Sequence, residues 1–135
     1  MRRRGLSGNG LAKLFAAGRV AVGAAVLARP AVLTRGLGVD SATGQRVVWL
    51  VRMFGVRDLV VGAGSLYALA RRTGTGPWLL AGAASDAVDA AAMTTAIRQR
   101  VIKAPPGALG AAMAAVSVAV QARAGWETRR PVIED

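Results

Sequence analysis

The sequence predicts an all-α protein, a bundle of four antiparallel transmembrane helices forming one unit over residues 1–135. Three observations carry this reading. Four apolar stretches approach the ~20 residues that cross a bilayer as a helix. The last of them, residues 104–122, has no charge and only Ser117 and Gln121 as polar side chains. It therefore lacks the polar stripe that each helix of a water-soluble bundle shows. Finally, Trp49, Trp78 and Trp126 all fall at or just beyond the ends of these stretches. That is where an amphipathic indole anchors a membrane–water interface.

Composition agrees. The chain is 53% hydrophobic and contains 17 glycines. Mean hydropathy is a modest +0.40 because alanine and glycine stand where leucine could, and because arginine is frequent.

The first span covers residues 11–28, after the basic start Arg2-Arg3-Arg4. A basic start, an apolar stretch and Val26-Leu27-Ala28 also resemble a signal peptide with its cleavage site. Arg19 inside the apolar stretch and Pro30 just beyond it argue against cleavage. Residues 29–46 form the one sizeable loop, with Pro30 breaking the first helix and Asp40 or Ser41 capping the next. The second span covers 47–70 and ends at a basic turn, 71–76. Pro77 suits the first position of the third span, 77–97. Pro105-Pro106 opens the fourth, 105–122, and a polar tail occupies 123–135. Short connections make neighbouring helices antiparallel. Small residues four apart, such as Ala17 with Ala21, Ala83 with Ala87 and Ala91, and Gly110 with Ala114, suit close helix approach in lipid. An alanine-rich chain also produces such spacings by chance.

Ionisable residues inside these spans are the most informative feature. Arg19, Arg57, Asp58, Asp86 and Asp89 fall near the middle of their spans, and Arg52 lies nearer an entrance, from which it can snorkel outward. At ~2.5–3.5 kcal/mol each, five unpaired charges add roughly 12–17 kcal/mol to insertion. They must therefore pair, hydrate or neutralise. Asp86 and Asp89, three apart, share a helix face. Arg57 and Asp58, as neighbours, point about 100° apart. The expectation is that Arg57 reaches Asp86 and Asp89 while Asp58 faces Arg19. With Arg52 the charges balance at three and three; without it one aspartate is in excess. Such a network serves either as a structural clip or as a polar cavity for a ligand or proton. Ser65, Tyr67, Ser85, Thr94 and Thr95 are candidates to line a cavity, although hydroxyls in membrane helices commonly bond their own backbone.

Several chemistries are excluded. Cysteine and histidine are absent, which removes disulfides, thiolate zinc sites and His-based acid–base work. The sequence shows no phosphate-binding glycine loop, no metal-ligand cluster and no nucleophile beside a base, so neither catalytic residues nor a cofactor are assigned. The net charge of +11 invites a nucleic-acid reading. Arginines inside apolar runs and the lack of any aromatic-rich basic groove argue against it. The flanking arginines instead set topology and meet anionic lipid headgroups. Counting Lys and Arg, the side holding both termini and the 71–76 turn receives 9 and the other side 6, which places both termini in the cytoplasm.

The run Arg52-Met-Phe-Gly-Val-Arg-Asp-Leu-Val-Val-Gly62, followed by Ser85-Asp-Ala-Val-Asp89, resembles a family of small integral membrane proteins of bacteria and fungi that is defined only as a domain of unknown function. Leu27-Ala-Arg-Pro30 and Leu37-Gly38 are similar as well, and the resemblance spans roughly residues 11–122. It implies a four-helix membrane architecture, and it implies that Arg57, Asp58, Asp86 and Asp89 occupy hallmark positions without assigning them a role. The abundance of arginine and alanine resembles an actinobacterial member. The expected function is that of a multi-pass protein of the inner (cell) membrane, non-enzymatic, self-associating or accessory to a larger membrane complex. The alternative is a minimal transporter or a binder of a small ligand or proton, using Asp86 and Asp89.

Overall fold

Helices run wherever the chain is apolar or alanine-rich, and they stop at proline, glycine or a basic turn. The computed structural model describes residues 8–127 and contains no strand among them. Six helices follow one another: α1 (Gly8–Ala28), α2 (Pro30–Gly36), α3 (Ser41–Arg46), α4 (Val48–Arg71), α5 (Thr75–Arg98) and α6 (Ala104–Glu127). The expectations for Arg2, Arg3 and Arg4, and for the tail from residue 128 onward, lie outside the described residues.

Three helices are long and apolar enough to cross a membrane, over Gly10–Ala28, Val48–Arg71 and Ala104–Trp126. At 24 residues α5 matches α4 and α6 in length, but Asp86 and Asp89 near its middle lower its hydropathy and it is not one of the three.

Two stretches differ from the sequence expectation. Residues 29–46 are two short helices rather than a loop. Pro30 ends α1 and then opens α2, where its fixed φ and missing N–H are tolerated. Asp40 caps α3, accepting the Thr43 N–H at 3.0 Å, and α4 begins only after a kink at Val47. At the other end α6 continues to Glu127 instead of stopping at 122. Ala124 is buried with Ala12 and Leu79, and this contact keeps the last turn wound.

The long helices pack two by two. The close pairs are α1 with α4 and α5 with α6, while α4 and α5 touch only sparsely despite their short connection. At one end, the Lys103 N–H donates to the Leu37 carbonyl at 3.1 Å, joining the α5–α6 turn to the loop after α2. That loop turns at Gly38, whose φ of 77° favours glycine and whose bare Cα lies against the Lys103 side chain.

Backbones meet directly between α1 and α4. A Cβ on Gly23 would stand 2.7 Å from the Gly55 carbonyl oxygen, and one on Gly62 would stand 2.8 Å from that of Ala16. The small residues that make this approach are therefore Ala16, Gly23, Gly55 and Gly62, whereas Ala17 and Ala21 of the expected ridge are exposed. On α5, Ala83 is buried but Ala87 and Ala91 are exposed, and Gly110 of α6 meets Met93. The interior holds alanine, glycine, polar groups and the apolar Val51, Val61 and Leu79, and among the described residues no large side chain is fully enclosed. Leu14, Met53, Val60, Val88, Leu109 and Val116 all face outward.

Two outcomes follow from these contacts. Gly62→Val should destabilise the protein by about 1–3 kcal/mol through overpacking. Gly18→Ala, whose Cβ meets nothing within 4 Å, should be neutral or stabilising. Thermal unfolding in mild detergent checks both. Hydrogen bonds from the Thr43 side chain and backbone hold Asp40 below its ordinary 3.8. A depressed folded pKa means that the cap is intact above that ordinary value and is lost as pH falls through the lowered one. Thr43 amide protection should therefore persist through neutral pH and drop only in strong acid, as hydrogen exchange can follow.

Candidate functional site: an Arg–Asp network across four helices

Helix geometry sends Arg57 and Asp58 of α4 to different neighbours, since adjacent residues diverge by about 100°. Asp58 turns toward α1 and Arg57 toward α5. Arg19, 9% exposed, sits where both meet. Its Nη1 donates to Asp58 Oδ1 at 2.8 Å, and its Nη2 donates to the Gly82 carbonyl at 3.0 Å and pairs with Asp86 Oδ1. Arg57 grips Asp89 with both ends of its fork, at 3.0 and 2.6 Å, and touches Asp58 Oδ1 at 3.3 Å. A two-pronged guanidinium–carboxylate pair fixes orientation as well as distance. The Phe54 ring lies 4.8 Å from Arg57 Cζ and covers the cation.

Five of the six ionisable residues singled out in the sequence are brought together, with one change of partner. Arg57 takes Asp89 alone of the α5 pair, while Asp86 goes to Arg19. One helical turn separates the two carboxylates, so a single guanidinium serves only the nearer. Arg52 stands exposed, without an ion pair among the described residues.

The sequence reading had no place for two participants. Gln121 of α6 donates through Nε2 to Asp86 Oδ2 at 2.7 Å and to Ser117 Oγ at 2.9 Å, carrying the network to a fourth helix. The available signal was its isolation, as one of two polar side chains in residues 104–122. Gly82 is the other: a Cβ there would collide with the Gln121 amide and crowd Arg19 Nε at 3.5 Å. Nothing in the sequence separates this glycine from the others.

Among the hydroxyls, Ser65, Thr94 and Thr95 donate to the carbonyl one turn back in their own helices. Ser85 Oγ and Arg57 Nε are buried without a hydrogen-bond partner. Tyr67 is exposed beneath Arg71. Trp49 and Trp126 are exposed near the ends of α4 and α6, whereas Trp78 packs flat against Gly64 and joins α5 to α4.

Beside the network, a cavity of about 340 Å³ opens between α1, α2, α4 and α5. Arg57, Asp58 and Asp89 line one part of it, and apolar side chains such as Val22, Leu33, Phe54 and Met93 line most of the rest. A scan against protein-family models found no match for the chain, and neither did searches of curated proteins and of solved structures.

The network predicts an order of sensitivity. Arg19→Gln leaves Asp58 with the longer Arg57 contact alone and Asp86 with no cation, and should cost about 3–5 kcal/mol. Asp89→Asn leaves Arg57 with Asp58 at a partly exposed position and should cost about 1–2 kcal/mol. Combining Arg19→Gln with Asp58→Asn and Asp86→Asn should recover part of the loss. Thermal unfolding in detergent reads all three, and a triple variant no better than Arg19→Gln alone would count against pairing as the cause.

Proposed function

We propose that this chain is a four-span integral protein of the inner (cell) membrane, a bundle of α1, α4, α5 and α6 with both termini in the cytoplasm. In this reading it is non-enzymatic, and it belongs with the small membrane proteins of unknown function that its Arg57-Asp58 core resembles. The observation that carries the reading is the inverted distribution of side chains. Small and charged groups fill most of the interior, with Val51, Val61 and Leu79 among them, while most of the large apolar side chains face outward, which suits lipid as the surrounding solvent. α5 crosses despite its aspartates because Arg19 and Arg57 neutralise them from the neighbouring helices.

The network then acts as a clip that fixes helix register and rotation. The outward apolar faces remain for lipid, for further copies of the chain or for a larger membrane complex to which it is accessory. A transporter or binder built on the Asp86/Asp89 pair is less favoured, because Arg19, Gln121 and Arg57 already occupy both carboxylates.

Topology tests this directly, because the chain has no cysteine of its own. Single variants Ser41→Cys, Thr73→Cys and Gln99→Cys report the three connections. In intact cells a membrane-impermeant maleimide should label Ser41→Cys and Gln99→Cys, and should reach Thr73→Cys only after lysis. Labelling of Gln99→Cys that follows Thr73→Cys means that α5 does not cross. Labelling of Thr73→Cys alone inverts the orientation.

A further inference from the structure

The buried network is not balanced. Arg19 and Arg57 face Asp58, Asp86 and Asp89, and Arg52 stands apart from them. Five of the six carboxylate oxygens are engaged. Asp58 Oδ1 takes both arginines, Asp86 takes Arg19 and Gln121, and Asp89 takes Arg57 on both oxygens. Among the described residues Asp58 Oδ2 receives no hydrogen bond, and the Asp58 side chain is 19% exposed. Asp58 lines the cavity of about 340 Å³.

We propose that this cavity binds a lipophilic organic monocation, its charged head against Asp58 Oδ2 and its body along Val22, Phe54, Met93 and Ile102. The inference rests on the membrane reading above and adds a ligand class to it. A volume of about 340 Å³ lies within the ~300–1,000 Å³ of small-molecule sites. Charge selects the sign. Three carboxylates against two arginines leave one negative charge in excess beside apolar walls, which is costly to keep, and one positive charge brings the cluster to neutrality. An anion meets the opposite situation, since Arg57 is already committed to Asp89 and Asp58. Size selects against a metal ion, because among the described residues no group of three acidic, His or Cys side chains converges to hold one. Asp58 and Asp89 beside Arg57, on one side of an otherwise apolar chamber, instead suit a protonated tertiary amine, quaternary ammonium or phosphonium with hydrocarbon substituents.

Two ions of nearly the same shape and opposite charge supply the test. The full chain in mild detergent is titrated calorimetrically with tetraphenylphosphonium and, separately, with tetraphenylborate. Saturable binding of the phosphonium at one site per chain, with none of the borate, is the expected result. Asp58→Asn should weaken it by about tenfold or more. Ala92→Phe, at a lining position that takes no part in the ion pairs, should abolish binding while the melting temperature is kept. No binding, equal uptake of both ions, or unchanged affinity in a folded Ala92→Phe variant overturns the proposal; the first result would leave a proton to balance the cluster. If Asp58→Asn does not fold, Ala92→Phe decides alone. The maleimide pattern is read independently, so a failed titration with four crossings intact removes only the ligand, whereas an α5 that does not cross removes the membrane reading itself.

Discussion

The fork of Arg19 between Asp58 and Asp86 is the constraint on which the arrangement of helices depends. The α1–α4 and α5–α6 pairs each hold together through close backbone approach and small-residue contact. Between the pairs, direct α4–α5 packing is sparse. Arg19 crosses that gap, taking Asp58 from its own pair and Asp86 together with the Gly82 carbonyl from the other. A guanidinium reaches these three acceptors on two helices from two separate nitrogens of a rigid fork, whereas lysine offers its three donors from a single point, so lysine is not an equivalent. Gly82 permits the approach by having no side chain, and Gln121 completes it from α6.

If the network is the clip proposed above, it contributes more to uniqueness than to net stability. Burying charges is costly, and well-packed apolar residues in their place are often as stable or more so. What the charges impose is asymmetry: losing one partner is penalised strongly, and so is any rotation of a helix that separates them. Alanine- and glycine-lined interfaces, which fit in several registers, have little of that discrimination on their own. The two features are complementary. Small residues allow the backbones to meet, and the ion pairs decide which of the possible meetings is kept.

Much of this was legible in the sequence. Charges are rare in apolar stretches and must find one another, so Arg19, Arg57, Asp58, Asp86 and Asp89 could be grouped before any coordinates, and the divergence of Arg57 from Asp58 followed from helix geometry. The choice between Asp86 and Asp89 was not legible, because it depends on the relative height of α1 and α4 beside α5, which close glycine contacts set. Pro30 was visible as a break, but the short helices after it were not, since residues 30–46 are too brief and mixed for a periodic signal. The extension of α6 beyond residue 122 depends on burial of Ala124 against Leu79 and Ala12. The pairing of α1 with α4 was anticipated by Asp58 facing Arg19, but its closeness was not, because direct backbone approach at Gly23, Gly55 and Gly62 leaves no mark that separates these glycines from the others; nor was the sparse contact of α4 with α5, which their short connection does not suggest.

That pairing also shapes the protein's synthesis. In a chain threaded into a bilayer from its N-terminus, Arg19 emerges long before its partners: Asp58 follows 39 positions later and the Gly82 carbonyl 63 positions later. At a translation rate of about 5–20 residues per second, the arginine waits roughly 2–8 s for its first carboxylate. During that interval α1 carries an uncompensated charge with no protein surface to hide it. The insertion machinery must shelter it at a lateral gate, or the helix must linger at the interface until α4 arrives. An order of packing that is stable once complete thus leaves the first helix unsecured until the second long helix arrives.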